Sequence, residues 1–163
     1  MTTKFENLFL KILSLFLILS LPSLFLYYFS LKFGAILTSF SVLLFTTCVF
    51  CFYFLTGIRL YQKPWSKVTI IFVQICLLCQ ALQIEVLGLH FENYYGPYLG
   101  LGFRQTTEFS FIFRAKLITL WFYNGFTNDS NISIMINMVP LITLVVFLFF
   151  VKQHDLGRIT NSK

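Results

Sequence analysis

The chain has 163 residues, of which 58% are hydrophobic, 20% aromatic and only 11% charged. A small domain leaves too much of its surface exposed to hide that much apolar side chain in water, so a soluble globular fold is excluded and lipid is the natural solvent. The formal charge of +6 falls in short clusters between apolar runs, a distribution that speaks for a polytopic membrane protein and against a nucleic-acid partner.

The first apolar run, Leu8 to Phe29, is long enough as a helix to cross a hydrocarbon core, at about 33 Å for 22 residues. It is long for an export signal, and no small-residue cleavage site follows it, so it reads as an uncleaved helix bent near Pro22. A second span runs from Ala35 to Gly57, with the glycine suited to a helix end. The following IRLYQKPWSK places Arg59, Lys63 and Lys67 beside Tyr61 and Trp65, the mixture expected of a cytoplasmic interface.

From Trp65 a third apolar stretch reaches Leu89. Within it, VQICLLCQALQIEV changes character at Leu82, where Gln83 and Glu85 alternate with Ile84 and Val86 at the two-residue period of a strand. Residues 90 to 131 are punctuated by glycine and proline. YLGLGFR, QTTE and FSFIFR read as a hairpin and LITLWFY as a further short strand, giving an aromatic β-meander over about 84–125. Open sheet edges are not tolerated in lipid, so the meander must lie at the interface, pack on helices or pair with another copy.

NDSN, residues 128 to 131, supplies a turn or cap. Ile132 to Val151 forms the last span, interrupted by Asn137 and Pro140, with its first five residues open to an assignment as strand. The tail KQHDLGRITNSK is polar and expected to fray.

These segments predict a mainly α membrane protein. It has about four transmembrane helices and a small β-meander between the third and fourth. Residues 1–64 form an N-terminal hairpin and loop, and 65–163 the remainder of one compact unit. Four crossings put Lys4, Lys11, Arg59, Lys63, Lys67, Lys152, Arg158 and Lys163 on one side and Lys32, Arg104, Arg114 and Lys116 on the other, which predicts both termini inside.

Among candidate sites, Cys48 with Cys51 and Cys76 with Cys79 each lie at helical i, i+3 spacing, the donor number of a tetrahedral thiolate site. Between them stand only Val49, Phe50, Leu77 and Leu78, without the turns and polar surroundings such a site uses, and buried cysteine is an ordinary small hydrophobe. Packing is the expected role. Gln74, Gln80, Gln83, Glu85 and His90 form a polar series suited to a pore wall or proton route, or more simply to helix–helix hydrogen bonds with Glu85 marking the exit from the bilayer. Tyr61, Trp65, Tyr94, Tyr95, Tyr98, Trp121 and Tyr123 are expected as interface anchors.

No nucleophile has a base and an orienting partner at a recognisable spacing, and the chain carries no phosphate loop. The expectation is a non-enzymatic, cofactor-free, multi-pass protein of the cell (inner) membrane. Its partners would be the bilayer and further copies of itself, and it would act as a pore-forming or membrane-perturbing effector. An anchoring subunit of a larger membrane complex is the alternative, and a membrane thiol or metal protein a third.

Overall fold

The computed structural model describes residues 4–24, 40–86, 89–105, 108–126 and 132–161. In chain order the elements are α1 (Lys4–Ile18), α2 (Phe40–Gln62), α3 (Lys67–Ala81), β1 (Leu82–Val86), β2 (Leu89–Gln105), β3 (Phe109–Phe126), β4 (Ile132–Asn137) and α4 (Met138–Asn161).

Pro22 shapes α1. Without an N–H it cannot cap the carbonyl of Ile18, and the regular ladder breaks at Leu19 before helical structure resumes to Leu24. Hydrogen bonds from Leu19 N to Leu15 O and from Ser23 N to Leu19 O carry the helix past the break. Buried positions recur at spacings of three and four: Glu6, Leu10, Leu13 and Leu17 on α1, Ser20 and Leu24 on its continuation, and Thr46, Phe50, Tyr53, Thr56 and Leu60 on α2. Each helix therefore offers one seam to its neighbours.

The two helices approach closely. Ser14 donates its hydroxyl to the Gly57 carbonyl at 2.8 Å, and Ser20 donates to the Phe50 carbonyl at 3.3 Å, so they run antiparallel. Gly57 does not end α2 as its position in the sequence suggested; the helix continues to Gln62. Its value is the missing side chain, because a Cβ there would meet Ile18 N at 2.8 Å and Ser14 O at 2.9 Å. Small residues admitting a close backbone approach are what drives helix association in lipid.

Ser66 caps α3 by accepting from Thr69 N at 3.2 Å. The helix then stops at Ala81, and its 15 residues span only about 22 Å, short of the roughly 30 Å hydrocarbon. Three other helical segments, Lys4–Leu24, Leu44–Gln62 and Met138–Leu156, are long and apolar enough to cross a membrane. Of the about four transmembrane helices expected, three are long enough among the described residues, and in place of the remaining one stands a shorter apolar helix that hands over to a strand at Leu82, where the period changes.

At the other end of the chain, Ile132–Asn137 is strand and helix begins only at Met138. Asn137 is the joint: its Oδ1 accepts from Val139 N at 3.2 Å, capping α4, and from Leu99 N at 3.1 Å, tying the cap to β2. Pro140 falls in the first helical turn, where no intrahelical donor is required. The tail does not fray after Val151; α4 extends to Asn161. The expected NDSN cap lies outside the described residues.

Phe5 and Phe9 both meet Phe150, and Trp65 stacks on His154 at 4.3 Å between ring centroids. The start of α1, the start of α3 and the latter part of α4 thus share one end of the bundle. The sheet occupies the other end, continuous with α3 and α4 through β1 and β4.

That sheet is larger than the expected meander and differently built. LITLWFY is not a separate strand but the continuation of β3, which pairs with β2 from Gln105↔Phe109 to Leu89↔Phe126. The order is β1-β4-β2-β3, with β1 also pairing β2. The pairings β1–β4, β4–β2 and β2–β1 form a ring. All are antiparallel, and three straight strands cannot each be antiparallel to the other two. Accordingly β2 bends sharply between the residues that pair with β1 (89–92) and those that pair with β4 (100–105). The bend is marked by the register shift between Gly96 and Tyr98, and by Gly96 at φ +96°, a conformation open to glycine.

Candidate functional site: the polar face of the sheet

The period-two pattern of β1 and β4 is inverted relative to a soluble sheet. Gln83 and Glu85 on β1, and Ser133, Met135 and Asn137 on β4, are buried, whereas Ile84, Val86, Ile132, Ile134 and Ile136 face outward. Registers extend the inversion across the strands. Ile84 lies opposite Ile134 and Ile134 opposite Phe103, while Glu85 lies opposite Ser133 and Ser133 opposite Arg104. One face is thus a row of aliphatic and aromatic side chains and the other a row of hydrogen-bonding groups.

Within the polar row, Arg104 Nη2 approaches Glu85 Oε2 at 3.7 Å across the strand that carries Ser133. Tyr98 donates its hydroxyl to Gln83 Oε1 at 3.2 Å, and its ring lies over Gly100, where a side chain would displace it. Burial and then the nearby Glu92 carboxylate push the Tyr98 phenol up to about 12, with Arg114 acting the other way. Tyr98 is a neutral donor at physiological pH. Glu92 and Asn93 are also buried on this end of β2. Two buried atoms, Arg104 Nε and Ser133 Oγ, find no partner among the described residues. A polar atom is rarely left so unless water or a ligand serves it.

The row continues into the bundle. Gln80, in the last turn of α3, is 1% exposed, and neither of its amide atoms is hydrogen-bonded. It approaches Tyr95, but the Tyr95 hydroxyl donates instead to the Phe16 carbonyl at 2.9 Å. Among the described residues Tyr53 OH is likewise buried without a partner, and Thr56 Oγ1 has only the Cys76 thiol beside it. Beyond them the bundle is filled by apolar side chains, among them Leu17, Phe50, Val73, Leu77 and Phe147.

Of the polar series read from the sequence, Gln80, Gln83 and Glu85 are brought onto one buried line, first along a helix and then along alternate residues of a strand. Gln74 is only half-buried. His90 is the register partner of Glu85, its side chain being outside the described residues.

Two expected anchors are corrected. Tyr95 and Tyr98 are buried inside the protein, Tyr95 stacked on Phe16 at 4.6 Å where the β2 bend docks against α1. Tyr61 is exposed and Trp65 half-exposed. Tyr94, Trp121 and Tyr123 have described backbone positions only, opposite one another in the β2–β3 ladder as Tyr94↔Trp121 and Glu92↔Tyr123.

The cysteines do not converge. Cys48 and Cys51 point outward from α2, Cys76 is buried and Cys79 is half-buried. No group of three or more metal-binding side chains occurs among the described residues.

Sequence reasoning missed Ser133, Asn137 and Arg104 as members of the row. Their signal was present: ISIMIN alternates isoleucine with Ser133, Met135 and Asn137, as LQIEV alternates Gln83 and Glu85 with apolar residues. Compared with known proteins, the chain matches no protein-family model, no curated protein and no solved structure, so the reading rests on its own geometry.

Proposed function

We propose that this chain is a multi-pass protein of the cell (inner) membrane that acts without catalysis, by bringing a polar-faced sheet into the bilayer boundary and letting small polar solutes cross. The inversion of the sheet is the observation that carries the reading. An apolar outer face and a polar, hydrogen-bonding inner face are what a wall between lipid and water requires. The helices share the apolar outer face, with Leu8, Ile12 and Leu15 on α1 and Ile142, Val145 and Phe149 on α4 turned outward.

In this reading the three long helices cross, and α3 with β1 completes a fourth passage. Both termini then lie on the cytoplasmic side, in keeping with the basic clusters. The bundle axis is packed with apolar side chains, so solutes follow the polar face of the sheet: Glu85, Ser133 and Arg104, with Gln80 and Gln83 leading toward it.

The test is release of size-graded dyes from liposomes containing the purified protein, with Glu85→Gln and Gln80→Leu in parallel. Release with a size cut-off that these substitutions shift is expected. Tight liposomes despite correct insertion would overturn the reading and favour an anchoring role, to be pursued by co-purification of a larger membrane complex.

A further inference from the structure

The pairing ring leaves β1, β4 and β2 with both edges occupied, whereas β3 pairs with β2 alone among the described strands. From Glu108 to Leu117 its residues are exposed, except for Ile112, which packs beside Tyr98 and Met135. On the outward face, Phe109, Phe111, Phe113 and Leu117 are 71%, 73%, 62% and 91% exposed. Neither surrounding suits this segment as it stands. Water is unfavourable to the aromatic row, and lipid to the open edge, whose N–H and C=O groups would go unsatisfied.

We propose that the free edge of β3 pairs with β3 of a second copy, antiparallel about a two-fold axis at Ile112. A strand meeting itself antiparallel satisfies both edges at once, as an isologous contact must. Charge selects the register. With Ile112 opposite its counterpart the ladder within the strand covers 109–115: Ser110 faces Arg114, Phe111 faces Phe113 and Phe109 faces Ala115, and Glu108, the residue just before the strand, meets Lys116 of the other copy. Opposite charges and aromatic pairs directly across a ladder stabilise it, and like charges there destabilise it.

The neighbouring registers do less well. Centring on Arg114 sets that arginine against itself. Centring on Phe113 places Lys116 opposite Ser110 and leaves Glu108 without a cation. Centring on Phe111 gives Glu108 an arginine but limits the ladder within the strand to 109–113. The interface gives the self-association expected from the sequence a definite surface, and it stands whether or not the bilayer is breached.

The test uses the full chain in detergent micelles or nanodiscs, with oligomeric state read by light scattering and by energy transfer between labelled copies. The natural chain is expected to be dimeric. Glu108→Lys and Lys116→Glu, both at exposed positions and made singly, are each expected to weaken the dimer at least tenfold without lowering the thermal midpoint. Mixed together, the two variants should restore pairing. The lysine introduced at position 108 of one copy then faces the glutamate introduced at position 116 of the other, and the second crossing keeps the natural pair of Lys116 with Glu108. A monomeric natural chain, or single variants that dimerise normally, would overturn the proposal. Failure of the two variants to complement one another would overturn the Ile112 register.

Discussion

The helical bundle and the sheet both turn apolar side chains outward, but they fill their interiors differently. Between α1 and α2 the interior is mostly leucine and aromatic rings, with small polar residues such as Ser14 and Ser20 bonding to backbone carbonyls and Gly57 where the backbones come close. Within the sheet the buried positions of β1 are Gln83 and Glu85, and those of β4 are Ser133, Met135 and Asn137. A helix satisfies its own backbone, so its seam need only fit. A strand satisfies its backbone through neighbours, and once β1, β4 and β2 have closed on one another, alternate residues of their inner face carry hydrogen-bonding groups. Shape complementarity governs one region and pairing the other.

The severest way to break that contrast is on the bundle side. Gly57→Leu would drive a side chain into Ile18 and the Ser14 carbonyl, and a loss of about 3 kcal/mol or more is expected, read as failure to accumulate or as a large fall in the thermal midpoint in detergent. A midpoint near that of the natural chain would show that the close approach of α1 and α2 is not required. At the junction of the two regions, Asn137→Ala removes the α4 cap and the bond to Leu99 together, for an expected cost of about 1–2 kcal/mol. Amide exchange should then quicken at Leu99 and Val139 while α1 and α2 keep their protection; exchange that quickens across α1 as well would mean that bundle and sheet unfold as one unit. The smallest effect is expected at Cys48→Ser combined with Cys51→Ser, which touches neither interior: stability within about 0.5 kcal/mol and dye release unchanged. Loss of activity in that pair would revive the thiol or metal reading.

Much of this organisation is legible in the chain. The change from helix to strand at Leu82 follows from a change of period, and the helices follow from the length of their apolar runs. The break at Leu19, before Pro22, follows from a missing donor. Gly57 misleads, because a glycine at a helix end and a glycine at a helix crossing look alike until the second helix is placed. LITLWFY misleads as a separate strand because the register shift falls at its first residues, where Leu117 and Ile118 stand opposite Pro97 alone, and the pairing then continues past them. The four spans become three and a short helix because hydropathy continues smoothly from α3 into β1, where only the alternation changes.

Composition and period by themselves determined the solvent of this protein, its apolar helices and the place of its strands, since each depends on residues adjacent along the chain. The tertiary structure alone decided which strand face is buried, that β1, β4 and β2 close into a ring, and that β3 keeps an open edge. Those features depend on pairing between segments as far apart as Glu85 and Ser133, or Gly100 and Asn137, and alternation reads the same whichever face turns inward.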